Sequence, residues 1–80
     1  MATMTEKHSL LACRVEVGFD TQWQLARAAR VDQATISHIE RGDKVLKKTA
    51  YKVFFALNKA RADHGLPELR FDELDFKLIE

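Results

Sequence analysis

The residues of this 80-residue sequence with covalent or ligand chemistry to offer are few: one cysteine, Cys13, and three scattered histidines, His8, His38 and His64. A lone cysteine excludes an intrachain disulfide and a cysteine-based zinc site, and the histidines lack metal-ligand spacing. Ser37 and His38 adjoin in sequence, but consecutive residues diverge by about 100° on a helix, so hydroxyl and imidazole do not meet. No nucleophile stands beside a base, and glycine-rich phosphate loops are absent. The expectation is a protein that is not an enzyme, with no cofactor, no metal and no evident small-molecule ligand. What remains is hydrogen bonding by polar side chains, which are concentrated between Thr21 and Lys44.

Those side chains need elements to hold them. Leu10, Cys13 and Val17 recur at helical spacing, with Leu11 and Val15 beside them, predicting a first helix over Glu6–Val17 that stops at Gly18. Thr21 is a start signal for a second, short helix ending near Ala29 or Arg30, with Trp23, Leu25, Ala26 and Ala29 as its apolar positions. Trp23 is expected to pack. Asp32 can cap a third helix running over residues 32–41, with Ile36 and Ile39 pointing inward and Gly42 closing it. After a basic loop, Ala50, Val53, Leu57 and Ala60 mark a fourth helix from about Lys47 to Asp63, its stripe widened by Phe54 and Phe55. Pro67 then breaks the pattern. Beyond it, Phe71 to Leu74 suits a turn of helix, while Leu74, Phe76 and Leu78 alternate as a strand would; both readings stand.

Length allows one core. With 46% hydrophobic and 31% charged residues, the composition suits a folded helical domain. The longest uncharged apolar stretch, around Val53 to Leu57, is far shorter than the roughly 20 residues of a membrane span. Met1 to His8 has no apolar run behind it, so no export and a cytoplasmic location are expected. The net charge of +1 conceals a division: residues 1–64 carry eleven Lys/Arg against seven Asp/Glu, and residues 65–80 carry two against five. Six bases (Lys44, Lys47, Lys48, Lys52, Lys59 and Arg61) follow the third helix with only Asp43 against them. Such a run is either a solvated helix face or a surface for an anionic partner.

Two short helices about three residues apart, the second opening on polar side chains, have the geometry that presents a helix to a DNA major groove. The residues themselves, Thr21-Gln22-Trp23-Gln24-Leu25-Ala26 and then Ala29-Arg30-Val31-Asp32-Gln33-Ala34-Thr35-Ile36-Ser37-His38-Ile39-Glu40-Arg41-Gly42, closely resemble the lambda-repressor/Cro family, also called the Xre family, of helix-turn-helix regulators. The resemblance departs from the family pattern at Arg30, where glycine is usual, at Asp20, an extra residue before the second helix, and after Gly42, where a frequent proline is missing. It implies an all-α, compact four- to five-helix lambda-repressor-like DNA-binding domain over residues 1–65, with its motif at 21–42.

The same resemblance assigns Gln33, Ala34, Ser37 and His38 to base edges. Glutamine can pair with adenine, alanine can touch a thymine methyl, and histidine can donate to a guanine acceptor. Gln22, Thr35, Arg41 and Lys44 are assigned to the DNA backbone, and Arg14 and Glu40 match a structural ion pair of the family. The implied function is sequence-specific transcriptional regulation on double-stranded DNA with a partly palindromic operator. The tail, residues 66–80, holds more apolar side chains than a small core needs, and is expected to be a dimerisation element of a homodimer. A helix-turn-helix protein-interaction module, such as an antitoxin or antirepressor, is the alternative.

Overall fold

The computed structural model describes residues 7–79. The predicted start of the first helix at Glu6 lies outside the described residues, but Lys7 to Ser9 are described and not helical: the helix begins only at Leu10, because Ser9 caps it in extended conformation. Over the described span the chain is mostly helical: α1 (Leu10–Glu16), α2 (Gln22–Ala29), α3 (Gln33–Glu40) and α4 (Lys47–Asp63), with β1 (Lys44–Val45) between α3 and α4. A three-residue 3-10 turn (Phe71–Glu73) and β2 (Lys77–Leu78) follow. No helix among the described residues is long and apolar enough to cross a membrane.

The helix starts are made locally. The Ser9 hydroxyl accepts from the Ala12 N–H to cap α1. Thr21 accepts from the Gln24 N–H while the Gln24 amide oxygen accepts from the Thr21 N–H, so two otherwise unpaired donors are satisfied reciprocally. Asp32 stands at the N-cap of α3, but its carboxylate makes no capping hydrogen bond, contrary to expectation. Its backbone carbonyl instead accepts from Thr35 N–H at 2.9 Å.

All four α-helices end alike, in a residue with positive φ followed by an N–H that reaches back five residues: Phe19 to Arg14, Val31 to Ala26, Asp43 to His38 and Leu66 to Arg61. Three of the positive-φ residues, Gly18, Gly42 and Gly65, are the only glycines of the sequence; the fourth is Arg30, at φ 60° and ψ 46°. A side chain there crowds the backbone by about 1 kcal/mol. Arg30→Gly should therefore be more stable than Arg30→Ala by about 1 kcal/mol in urea unfolding, the reverse of their order inside a helix. Equal stability of these two uncharged variants would remove the strain from the account.

The core is built from Leu10, Cys13 and Val17 of the α1 region, Leu25, Ala26 and Ala29 of α2, Ile36 and Ile39 of α3, and Ala50, Val53, Phe54, Leu57 and Ala60 of α4. α2 packs against both α3 and α4. Burial pushes the Cys13 thiol pKa up, as suits a small core residue. Some predicted apolar positions lie outside this core. Trp23, expected to pack, is 53% exposed, because it sits about 160° around α2 from Leu25. Its ring lies under the Arg27 guanidinium instead, 5.3 Å from the centroid. Leu11, Val15 and Phe55 are likewise exposed.

The tail folds back onto its own domain. Leu69 and Leu74 are buried in the core, and Leu66, Phe71, Phe76 and Leu78 pack partly against it. Asn58 holds the Leu69 backbone from both sides, donating to its carbonyl at 2.9 Å and accepting from its N–H at 2.8 Å. Phe71 stacks on Tyr51 of α4, with centroids 4.1 Å apart, and Phe76 stacks on Phe71. Leu74 bridges to His8, and β2 then runs parallel to β1 with Val45 opposite Leu78. Both sequence readings of the tail are thus partly realised, a short 3-10 turn and then a two-residue strand. That strand pairs within the chain, and most of the tail's apolar side chains pack against its own core.

Candidate nucleic-acid interface

α3 has two faces. Ile36 and Ile39 are buried against α1 and α2, and about 100° per residue then carries Gln33, Ala34, Ser37, His38 and Arg41 onto one outer arc of about 140°. Gln33, Ala34, His38 and Arg41 are exposed and Ser37 is half-buried. Thr35 lies at the edge of this arc, half-buried, lining with His38, Lys44 and Thr49 a shallow groove of about 200 Å³.

The orientation of α3 is held by a network centred on Glu40. Arg14 and Glu40, 26 residues apart, meet with Nε 2.6 Å from Oε2, their side chains only 8% and 11% exposed. Arg14 Nη1 also donates to the carbonyls of Phe19 and Asp20, at 3.0 and 2.9 Å. The extra residue of the α1–α2 loop is therefore held by the same guanidinium that meets α3. Gln22 Nε2 donates to Glu40 Oε1 at 2.9 Å. The Gln22 amide thus faces α3, and what it presents outward is its place in the first turn of α2, where backbone N–H groups lack helical partners. Among the described residues no buried side-chain polar atom lacks a partner.

Just past Glu40, at the same C-terminal end of α3, Gly42 turns Asp43 back over the helix, a placement that sequence reasoning missed. Asp43 Oδ2 lies 3.0 Å from His38 Nδ1 and 2.9 Å from Arg41 Nη2, and Arg41 Nη2 lies 2.6 Å from His38 Nδ1. The hydrogen bond from His38, and then those from Arg41, hold the Asp43 carboxyl below its ordinary pKa. A neutral His38 can accept from Arg41 at Nδ1 or donate to Asp43 there, and the choice decides the outer nitrogen. Accepting leaves Nε2–H pointing outward as a donor; donating leaves Nε2 as an acceptor. The only local signal for this triad was the positive-φ glycine between Arg41 and Asp43.

The basic run after α3 is not one surface. Lys44, Lys47, Lys48, Lys52 and Lys59 are exposed, but Arg61 is buried, donating to Glu16 at 2.6 Å and to the Pro67 carbonyl at 2.7 Å. It ties α4 to α1 and to the tail. Among the described residues no group of three His, Cys, Asp or Glu is placed to hold a metal ion. The chain matches no family model, no curated protein and no solved structure.

Proposed function

We propose that this chain is a cytoplasmic, sequence-specific transcriptional regulator of the lambda-repressor/Cro type, which reads the major groove of double-stranded DNA with α3. The observation that carries this reading is the outer arc of α3. Gln33, Ala34, Ser37 and His38 stand along one side of a short helix whose other side is packed and whose C-terminal end is pinned by the contacts of Glu40 and Asp43. Gln and His supply directional hydrogen bonds to base edges and Ala supplies a methyl-sized contact. Around them, Thr35, Arg41, Lys44 and the first turn of α2 at Gln22 serve the phosphates, which position the protein without specifying sequence. No catalysis or cofactor enters this function.

The protein acts as a homodimer on a partly palindromic operator, since one short helix contacts few base pairs and two-fold pairing doubles them. With the tail's apolar side chains mostly turned inward, the aromatic run through Phe55, Tyr51, Phe71 and Phe76 is the surface on which a second copy fits. Phe55 is 62% exposed. The exposed Lys52 neighbours Phe55 on α4, while the exposed Asp72 and Asp75 neighbour Phe71 and Phe76 in the tail. A two-fold axis through the aromatic run sets Lys52 of one copy against the acids of the other.

Selection of binding sites from random-sequence duplex DNA tests the function. Two inverted half-sites about one helical turn apart are expected, and one half-site would exclude the dimer. Gln33→Ala should lose discrimination at one base pair of each half-site, at a cost of about 1–3 kcal/mol on the specific site. Unchanged preference would remove Gln33 from the reading set. Failure to select any site, with a stoichiometric protein complex instead, would favour a protein-interaction module.

A further inference from the structure

We infer that the C-terminal tail carries part of the DNA interface: Lys77 of β2 and Lys44 of β1 together grip adjacent backbone phosphates beside the end of α3. The inference rests on the DNA-binding reading above. In the parallel pairing of β1 and β2, Lys44 is the register partner of Lys77, so both side chains leave the same face of the two-stranded sheet, from strands about 4.8 Å apart. Both are exposed. The Lys77 ammonium reaches the turn that closes α3: its Nζ is 3.6 Å from the point where a Cβ on Gly42 would stand. Lys44 in turn lines the same groove as Thr35 and His38, which places the pair next to the outer arc of α3.

Two like charges directly opposite on a sheet repel, and neither lysine forms an ion pair with another described residue. The acid nearest Lys44 in sequence, Asp43, already accepts from His38 and Arg41, and the acid nearest Lys77, the exposed Asp75, forms an ion pair with neither lysine. A phosphate backbone turns this repulsion into attraction, since each lysine neutralises one phosphate and releases its condensed counterion. The tail is otherwise acidic, with only Arg70 and Lys77 against five carboxylates from residue 65 onward. Arg70 lies against Asp72, at 3.3 Å. The remaining positive charge stands beside the end of the reading helix.

The test is the salt dependence of binding to a selected duplex by the full chain and by Lys44→Gln, Lys77→Gln, the double variant and Lys59→Gln. Lys59 is an exposed base of α4 that faces Asp63 and serves as the control. Lys77→Gln should weaken binding to all sequences about equally and lower the slope of log K against log salt by about 0.9, as should Lys44→Gln. The double variant should lose about twice that, and Lys59→Gln should lose nothing. The unfolding midpoint of Lys77→Gln should hold or rise, because a repulsion is removed. A Lys77→Gln slope equal to that of the unaltered protein, with Lys44→Gln reduced, overturns the inference and leaves the DNA-binding reading standing. An unaltered protein that binds no duplex at any salt overturns both.

Discussion

Glu40→Ala should destabilise the protein by about 3–5 kcal/mol, the cost of leaving a buried charge without its partner. Arg14 would keep its carbonyl acceptors on Phe19 and Asp20 but lose its only carboxylate partner among the described residues, and the Gln22 amide would lose its acceptor. A domain of this size has a total stability of about 4–12 kcal/mol, so the variant should sit near the edge of folding at room temperature. Removing both charges has a different outcome. Arg14→Met combined with Glu40→Leu should recover most of the loss, because neither charge then has to be desolvated. Urea midpoints of the two single variants and the double variant measure the coupling. Additive losses would mean that Arg14 and Glu40 do not act as a pair. The pair's benefit lies in geometry: one guanidinium fixes the α1–α2 loop and meets the residue that ends α3.

The second large effect is expected in the tail. Leu74 is 2% exposed, and its neighbours bind the backbone of His8, with His8 N–H donating to the Glu73 carbonyl at 2.7 Å and Asp75 N–H donating to the His8 carbonyl at 3.1 Å. Fixed from both sides, the site has little freedom to collapse around a smaller residue. Leu74→Ala should cost about 3–4 kcal/mol, in the upper part of the range for buried leucines. Loss of residues 66–80 altogether would also remove Leu69 and leave both polar groups of the Asn58 amide without their partner, so that truncated chain should not fold. Unfolding of Leu74→Ala at two protein concentrations separates this role from dimerisation. A core role lowers the midpoint equally at both concentrations. A midpoint that matches the unaltered protein at low concentration and differs only at high concentration would make the tail an association element instead.

Much of the helical scaffold was legible because its signals are local. The spacing of Leu10, Cys13 and Val17, the N-cap positions of Thr21 and Asp32, and the three glycines place four helices within a few residues of where they lie, although Asp32 makes no capping bond. Residues that depend on a distant partner were harder to read. Trp23 is apolar but lies on the wrong side of α2, which only the full helical phase reveals. Arg61 reads as one more base in a positive run, yet it faces Glu16, 45 residues earlier. The tail's alternation suggested a long strand, but its partner β1 is two residues within what reads as a basic loop, so only Lys77 and Leu78 pair. Of the candidate interface, the outer arc of α3 follows from its period once Ile36 and Ile39 are known to be inside. The Asp43 contacts with His38 and Arg41 do not, because they depend on the backbone reversal at Gly42.

Arg30 links this scaffold to its proposed use. It is the one residue other than glycine with positive φ among the described residues, and it sits in the turn that sets how α2 and α3 cross. In the resemblance to repressors this is the weakest position, and in the structure the left-handed turn is made without glycine.

The central claim, that α3 reads DNA sequence, is tested most directly by selecting duplexes from a random-sequence library with the full chain and comparing the enriched sites with those of Gln33→Ala. The account predicts one enriched, partly palindromic site for the unaltered protein and a loss of preference confined to one base pair per half-site in the variant. No enriched sequence with the unaltered protein would contradict it.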